Sequence, residues 1–163
     1  MSGTIDLHIH TTASDGTLSP SEAVFHAREL GLRAMAVTDH DTAVGVPEAL
    51  VAGRALGMEV VPGIELSVDW HGFGVHILGY FIDPAAPALT ALLDWVTAER
   101  RERNEIMAAA LRADGMAADV AEMERRWPGA ILGRPHFAQI LAEQGRAESV
   151  KDAFDRYLSI GQK

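Results

Sequence analysis

The chain has 163 residues, 48% of them hydrophobic and 23% charged, a composition typical of one globular domain rather than of a disordered or fibrous chain. It contains no Cys, which excludes disulfides and thiolate metal sites and leaves His, Asp and Glu as the candidate metal ligands. The formal net charge of -9 disfavours a broad electrostatic grip on long nucleic acids, and the lack of a membrane-length apolar run or a signal peptide favours a cytoplasmic protein.

Strands and helices are predicted to alternate in the first half of the chain. The second predicted strand is almost wholly apolar until Thr38, as expected for a strand that is buried on both faces of a parallel sheet. The order βαβαββ indicates an α/β fold with a parallel core. The predicted elements are a strand at 4–9, a helix at 18–31, a strand at 33–41, a helix at 47–56 and strands at 58–68 and 75–82.

The first predicted helix carries a complete start signal. Ser19 can cap it, Pro20 suits its first turn, and Glu22 completes a capping box with Ser19. Gly31 is predicted to end it. Its buried stripe is expected to consist of Ala23, Val24, Ala27 and Leu30.

The second half of the chain is predicted to be helical throughout. Apolar residues from Pro87 to Leu111 keep helical spacing, and further helical patterns start at Asp119, Pro135 and Ser149. We therefore expect a first part of alternating strands and helices and a second part that contains helices alone.

Polar side chains that can bind metal recur where the predicted strands end. His8 and His10 are two residues apart, so in an extended strand both project to the same side and can converge on one ion. In a parallel α/β barrel the carboxyl ends of the strands carry the active site, so these positions predict a metal site on that face. The candidate residues are His8, His10, Asp15, Asp39, His40, Glu65 and His76.

Each of these residues taken alone has a simpler interpretation. Asp15 precedes a glycine and is also consistent with a turn, and Asp39 and Asp41 are consistent with helix caps. His76 lies on an apolar strand, where a histidine is usually part of the core. Three motifs at successive strand ends favour metal binding over these alternatives. Two other histidines are expected to face solvent without a role, namely His26 and His71.

The strand ends carry four distinctive stretches: DLHIHTTASDGTLSP, AVTDHD, PGIEL and VHILGYF. Together they resemble the PHP (polymerase and histidinol phosphatase) family, especially its stand-alone bacterial phosphoesterases. A later stretch, GRPHFAQIL, resembles the helical insertion of those enzymes. The resemblance implies a distorted (β/α)7 barrel, with residues 1–84 as its first half, carrying the metal ligands, and residues 85–163 as the helical insertion.

The resemblance also implies a metal centre and its chemistry. The family site holds two or three divalent ions, usually manganese, zinc, iron or magnesium, and Asp39 would orient a neighbouring histidine. Metal-activated hydroxide would attack the substrate, so no protein nucleophile is expected. In the implied ligand set His8 and His10 bind the first ion, His76 the second, Asp15 and His40 the third, and Glu65 bridges two ions.

The implied activity is the hydrolysis of phosphate esters. The phrasing TTASDGTLSP and the helical insertion resemble enzymes that act on nucleotide 3',5'-bisphosphates or short oligonucleotides, so a small phosphorylated substrate, a nucleotide, is expected. Arg134 and His136 in GRPH are candidate substrate-binding residues, because a guanidinium pairs with phosphate in a bidentate manner and free amides at a helix start attract anions. Helix capping is the alternative interpretation for both.

Other classes of function remain open. Histidinol phosphate is an alternative substrate, and a non-catalytic metal-binding PHP module that stabilises a partner is the non-enzymatic alternative. Amidohydrolase-type barrels share the HxH motif but often bridge their ions with a carboxylated lysine. The two lysines of this chain, Lys151 and Lys163, lie far beyond the predicted strands, so Glu65 suits the bridging role better.

The sequence also departs from the family pattern. No His-Pro or Asp-x-His motif follows the helical part, and about four strands are too few to close an α/β barrel. We expect either that the chain is a fragment of a longer protein or that a second chain completes the barrel. An open sheet edge would then favour self-association, and metal would bind more weakly than in the whole protein.

Overall fold

The computed structural model describes residues 4–158 of the chain. The chain divides into two compact units between Thr97 and Ala98, within the long helix Pro87–Ala113. The predicted division at residues 84 and 85 falls where the strands have ended and this helix has not yet begun. As a domain boundary it stays a prediction.

The first unit alternates strands and helices in the predicted order. Its elements are β1 (Ile5–Ile9), α1 (Pro20–Glu29), β2 (Ala34–Val37), α2 (Val46–Leu56), β3 (Glu59–Trp70), β4 (Phe73–Tyr80) and the first part of α3 (Pro87–Ala113). β2 is shorter than the predicted strand at 33–41, because the residues after Val37 leave the strand and form the segment that carries His40. β3 and β4 extend further than predicted at the turn that joins them.

The four strands form one sheet in the order β1-β2-β3-β4. β2 pairs in parallel with both β1 and β3, and all of its residues are buried. β4 returns antiparallel to β3 through a tight turn at His71 and Gly72, whose φ angles of 52° and 83° match the right-handed twist of a hairpin. The predicted α/β class and parallel core are therefore confirmed.

The two ends of α1 show why the chain turns where it does. The hydroxyl of Ser19 accepts a hydrogen bond from the Glu22 amide at 3.3 Å, and the Glu22 carboxylate accepts one from the Ser19 amide at 2.8 Å. These bonds confirm the predicted capping box. At the other end Gly31 has a φ of 78°, and the Leu32 amide donates to the Ala27 carbonyl, which is the bonding pattern of a glycine-terminated helix.

The prediction that Leu30 belongs to the buried stripe of α1 is wrong, because this side chain is 79% exposed. Leu30 is the C-cap residue in front of Gly31, where the chain reverses its direction. Leu32, just after the reversal, packs against the core in its place. The remaining members of the predicted stripe are buried, namely Ala23, Val24 and Ala27.

The second unit is helical, as predicted. It contains the rest of α3, α4 (Val120–Arg126), α5 (Arg134–Glu143), α6 (Val150–Ala153) and a π-helical turn at Phe154–Leu158. The predicted starts at Asp119 and Ser149 are confirmed, since both side chains cap a helix. The core of this unit is built around Phe137, Met123 and Leu141, which are fully buried. Among the described helices none combines the length and the apolar character that crossing a membrane requires.

Candidate metal centre

Six side chains from β1, β3, β4 and the segments after β1 and β2 converge in the first unit, and two of them, Glu65 and His76, lie within their strands and not at the predicted strand ends. β1 and the residue after it supply two histidines that are two positions apart, and the following loop supplies Asp15. The segment after β2 brings His40 beside β3, where a parallel bridge pairs it with Glu65. His76 lies directly opposite Ser67 in the β3–β4 pair, so these two side chains are on the same face of the sheet. Alternate residues of a strand share a face, so Glu65, two positions before Ser67, is on that face too.

Glu65 lies at the centre of this group, and it is buried. Its Oε2 lies 3.0 Å from Nε2 of His8, 3.0 Å from Nε2 of His10 and 3.3 Å from Nδ1 of His40. Its Oε1 lies 2.9 Å from Nδ1 of His76. One carboxylate thus faces four imidazole rings, and the predicted convergence of these residues is observed.

Asp15 forms a second point of convergence. Its Oδ1 lies 3.3 Å from Nδ1 of His10, and its Oδ2 lies 3.7 Å from Nε2 of His40. Each of these histidines therefore has one nitrogen near Asp15 and the other near Glu65, and the two ring centres are 4.5 Å apart. The two histidines connect the two carboxylates.

Three overlapping groups of these side chains have the geometry of metal sites. In each group the candidate ligand atoms lie within 4.8 Å of one another. Any two groups have one residue in common, so ions bound in them would be neighbours. Imidazole and carboxylate donors are ligands that zinc, iron and manganese take in proteins. The groups are His8, His10 and Glu65; His10, Asp15 and His40; and His40, Glu65 and His76.

The polar atoms of the cluster indicate that these residues fit a divalent metal. Nδ1 of His10 and Nδ1 of His40 are buried and have no hydrogen-bond partner among the described residues. The Asp15 oxygen at 3.3 Å from Nδ1 of His10 lies close enough for an ion pair but does not complete a hydrogen bond. A buried polar atom without a partner costs about 1–3 kcal/mol, whereas the lone pair of an imidazole nitrogen is a metal ligand.

The electrostatics of the cluster keep its carboxylates ionised. Burial alone would raise the pKa of Asp15, but His10 and His40 lower that pKa to about 2. Burial likewise opposes the shift at Glu65, whose pKa is lowered by the contacts with His8 and His40. The Asp15 carboxylate raises the pKa of His10 above its ordinary value, whereas burial lowers the pKa of His40. Two anionic ligands side by side favour a bound cation.

Asp39 holds the loop that follows His10. Its buried carboxylate accepts hydrogen bonds from the Thr11 amide, the Thr11 hydroxyl and the Ser14 hydroxyl, at 2.6, 2.7 and 2.6 Å. These bonds fix the loop between His10 and Asp15, so an orienting effect of Asp39 on a histidine would act through this loop. Thr11 and Ser14 are not among the predicted site residues. The run of hydroxyl side chains in HTTASDG is the sequence feature that could have indicated them.

The alternative in which Asp39 and Asp41 cap a helix is wrong. The N-cap of α2 is Gly45, and no side chain caps that helix. The Asp41 carboxylate accepts a hydrogen bond from the Ser67 amide of β3 instead. Glycine is required at position 16 for a steric reason and not only for a turn, since a Cβ atom at this position would collide with the carbonyl group of His10. The two histidines assigned to solvent are both exposed, namely His26 and His71.

The two predicted substrate-binding residues lie in the second unit, at the start of α5. His136 is buried, and its Nδ1 accepts a hydrogen bond from the Gly133 amide at 3.1 Å, which places the proton of a neutral ring on Nε2. Nη1 of Arg134 donates to the Leu158 carbonyl at 3.5 Å, and the guanidinium lies 6.0 Å from the centre of the Phe154 ring. His136 thus caps its helix, and the substrate-binding role of both residues stays a prediction.

Comparison with known proteins identifies relatives over nearly the whole chain. A 5'-3' exoribonuclease of Haemophilus influenzae is 38% identical over 156 residues, which are 96% of this chain and 57% of the relative. A 3',5'-nucleoside bisphosphate phosphatase of Chromobacterium violaceum is 38% identical over 159 residues, 96% of this chain and 55% of the relative. The chain therefore spans about half the length of these curated relatives.

A solved structure supports the same grouping. It comes from Bifidobacterium adolescentis, is described as a metal-dependent phosphoesterase, and is 31% identical with a TM-score of 0.91. The match covers 100% of this chain and 58% of that structure, so the mixed sheet and helices form part of a PHP barrel. The family model of the PHP domain matches residues 6–163, a range that contains every residue of the candidate metal-binding cluster. The chain belongs to the PHP domain family.

Proposed function

We propose that the protein is a metal-dependent phosphoesterase that hydrolyses phosphate esters of nucleotides, either 3',5'-bisphosphates or short oligonucleotides. The observation that carries this proposal is the convergence of four histidines on Glu65, with Asp15 beside two of them. The similarity to a bisphosphate phosphatase and to an exoribonuclease supports it, because both reactions break a phosphate ester.

The proposed centre holds two or three divalent ions, with manganese, zinc, iron and magnesium as the candidates. Glu65 would hold ions of two neighbouring ligand groups, because its two oxygens face different histidines. His10 and His40 each offer one nitrogen toward Glu65 and one toward Asp15, so each can join neighbouring ligand groups. Ions bound there would supply an activated water and would offset the negative charge of a phosphoryl group.

The remaining residues of the centre hold these ligands in place. Asp39 fixes the loop that carries Asp15 through Thr11 and Ser14, and this rigid support limits how far the Asp15 carboxylate can move. The rings around Glu65 lower the pKa of its buried carboxylate, so this ligand is already ionised when it meets a cation. A chain of net charge -9 requires such a cation cluster to attract an anionic phosphate.

The test is hydrolysis by the full-length protein loaded with Mn²⁺, measured as released phosphate for the phosphomonoesters and as released nucleotide for the oligonucleotide. The substrates are a nucleoside 3',5'-bisphosphate, a nucleoside 5'-monophosphate, a short 5'-phosphorylated oligonucleotide and histidinol phosphate. We expect turnover of the bisphosphate or the oligonucleotide, and loss of that turnover in Glu65→Gln. Glu59→Gln is the matched control, because Glu59 lies in the same strand but is exposed.

The outcomes of this screen separate the alternatives. Turnover of histidinol phosphate alone would contradict the proposed substrate class and assign the protein to that reaction. Bound Mn²⁺ without turnover of any substrate would contradict the enzymatic proposal and support a metal-binding module that stabilises a partner.

A further inference from the structure

Asp41 has an unusual backbone conformation for a buried residue. Its φ is 52°, in the left-handed region that few residues other than glycine, asparagine and aspartate adopt, and it is 1% exposed. Among the described residues two other non-glycine positions have a positive φ, His71 and Phe81, and both are exposed. Buried strain of this kind persists only where surrounding contacts enforce it, and it often marks a functional site.

The contacts of Asp41 explain what enforces this conformation. Its amide donates a hydrogen bond to the Glu65 carbonyl at 2.9 Å, and its Oδ1 accepts one from the Ser67 amide at 2.8 Å. The Glu65 amide in turn donates to the Asp39 carbonyl at 3.1 Å. These bonds continue the parallel hydrogen-bond ladder between β2 and β3 beyond Val37, the last residue of β2. The Asp41 carboxylate accepts the last hydrogen bond of this extended ladder.

The same bonds fix His40 against Glu65. His40 lies between the two residues that bond to β3, and it forms a parallel bridge with Glu65. Its ring is thereby held with Nδ1 at 3.3 Å from the Glu65 carboxylate and Nε2 at 3.7 Å from the Asp15 carboxylate. A segment of chain outside a strand would otherwise be free to move away from β3.

We propose that Asp41 is a positioning residue of the metal centre. Its carboxylate anchors the segment after β2 to the Ser67 amide, and this anchor sets the distance between His40 and Glu65 and hence the affinity for the ions that His40 binds. The inference rests on the proposed function, in which this cluster holds divalent metal. The role belongs to the side chain as a hydrogen-bond acceptor and not as a metal ligand, because Asp41 belongs to none of the three ligand groups.

Two substitutions separate this role from a contribution to folding alone. Asp41→Gly removes the anchor, but glycine adopts a positive φ at no cost, so the relief of strain offsets the lost hydrogen bond. Asp41→Asn keeps an acceptor oxygen, and asparagine tolerates the left-handed region. If Asp41→Gly does not fold, Asp41→Asn still tests the role, because a loss of more than about tenfold in Mn²⁺ affinity with the acceptor oxygen kept would overturn an anchor that acts as a hydrogen-bond acceptor.

The experiment is a calorimetric titration of the metal-free full-length protein with Mn²⁺, together with the midpoint of unfolding by urea. We expect Asp41→Gly to weaken Mn²⁺ binding by about 10–100-fold with the urea midpoint unchanged, and Asp41→Asn to stay within about threefold of the original protein. Equal Mn²⁺ affinity in Asp41→Gly and the original protein would overturn the inference and leave the proposed function intact. Failure of the original protein to bind Mn²⁺ would overturn the proposed function and this inference with it.

Discussion

The two carboxylates of the centre have different surroundings, although both are ionised. Glu65 faces four imidazole rings from β1, β4 and the segments after β1 and β2, whereas Asp15 faces only the rings of His10 and His40. Loss of Glu65 therefore affects two ligand groups, and loss of Asp15 affects one. Arg134 lies in the other unit and belongs to none of the groups. Substitutions at these residues should have separable effects.

Asp15→Ala should lower metal occupancy at one ion without unfolding the protein, whereas Arg134→Ala should leave metal content intact and weaken substrate binding. A charge-assisted hydrogen bond contributes about 1.5–3 kcal/mol, so we expect KM to rise by about 10–100-fold in Arg134→Ala. Elemental analysis and steady-state kinetics of the full-length protein measure both effects. Asp94→Ala and Arg125→Ala are the matched controls, since both side chains are exposed. Unchanged kcat and KM in Arg134→Ala would leave helix capping as its role.

Metal affinity should fall as the pH is lowered, because imidazole binds metal in its neutral form. Asp15 raises the pKa of His10 above 6.5, so a proton competes with metal at His10 from a higher pH than at an ordinary histidine. Burial lowers the pKa of His40, which is therefore already neutral in this range. Below the pKa of His10 we expect log affinity to fall by about one unit per pH unit. Titrations with Mn²⁺ between about pH 8 and about pH 6 test this, and a flat profile would contradict it.

At the scale of elements, the close approach of β2 and β3 sets the position of Glu65. Gly63 lies in β3 two residues before Glu65, and a Cβ atom there would lie 2.8 Å from Cγ2 of Thr38 and 2.9 Å from the Val37 carbonyl. The glycine of PGIEL is therefore required by the spacing of the two strands, and not by an unusual φ. The motif PGIEL therefore contains both the candidate ligand Glu65 and the glycine that allows β3 to approach β2.

Gly63→Ala should push β3 away from β2 and move Glu65 relative to His40. Forcing an extra methyl group into packed structure costs about 1–3 kcal/mol, and we expect weaker Mn²⁺ binding to accompany this loss of stability. Urea unfolding and Mn²⁺ titration measure the two effects. Gly79→Ala in β4 is the matched control, because its methyl group would lie 3.2 Å from Cγ2 of Ile64, with the nearest backbone atom at 4.0 Å. Equal losses in the two variants would show that strand spacing at Gly63 is not the cause.

At the scale of the whole molecule, the β3–β4 hairpin presents an apolar face. Trp70, Phe73 and Ile77 are 65%, 73% and 52% exposed. The pairing of the two strands places them on the face opposite Glu65 and His76. In the sheet of the described residues β4 pairs with β3 alone, so its other side is a sheet edge. Exposed apolar surface beside an open edge favours association.

Residues 1–163 expressed alone should self-associate and bind metal more weakly than the full-length protein. Light scattering measures the mass, and Mn²⁺ titration measures the affinity. Ile77→Lys should reduce the association, because a charge on the hairpin face opposes its burial. Val51→Lys is the matched control, since Val51 is also exposed but lies on α2. A stable monomer with full metal occupancy and phosphatase turnover would contradict this prediction.

Interactions between residues that are close in the chain make much of this fold predictable from the sequence. The two-residue spacing of His8 and His10 places them on one side of a strand, and the capping box at Ser19 starts α1, because both effects act over a few bonds. The motifs at strand ends likewise predict that the ligand candidates converge at one end of the sheet. Each of these motifs is made of residues that are near each other in the chain.

Only the tertiary structure decides the distances between ligands. His8 and Glu65 are 57 positions apart, and their contact at 3.0 Å depends on the register of β1, β2 and β3. The hydrogen bonds of Asp39 to the loop and of Asp41 to β3 carry no local signal, because their partners lie more than twenty positions away. Sequence spacing determines which side chains face the site, whereas strand packing and register determine how closely they meet, because register is fixed by the burial of whole elements.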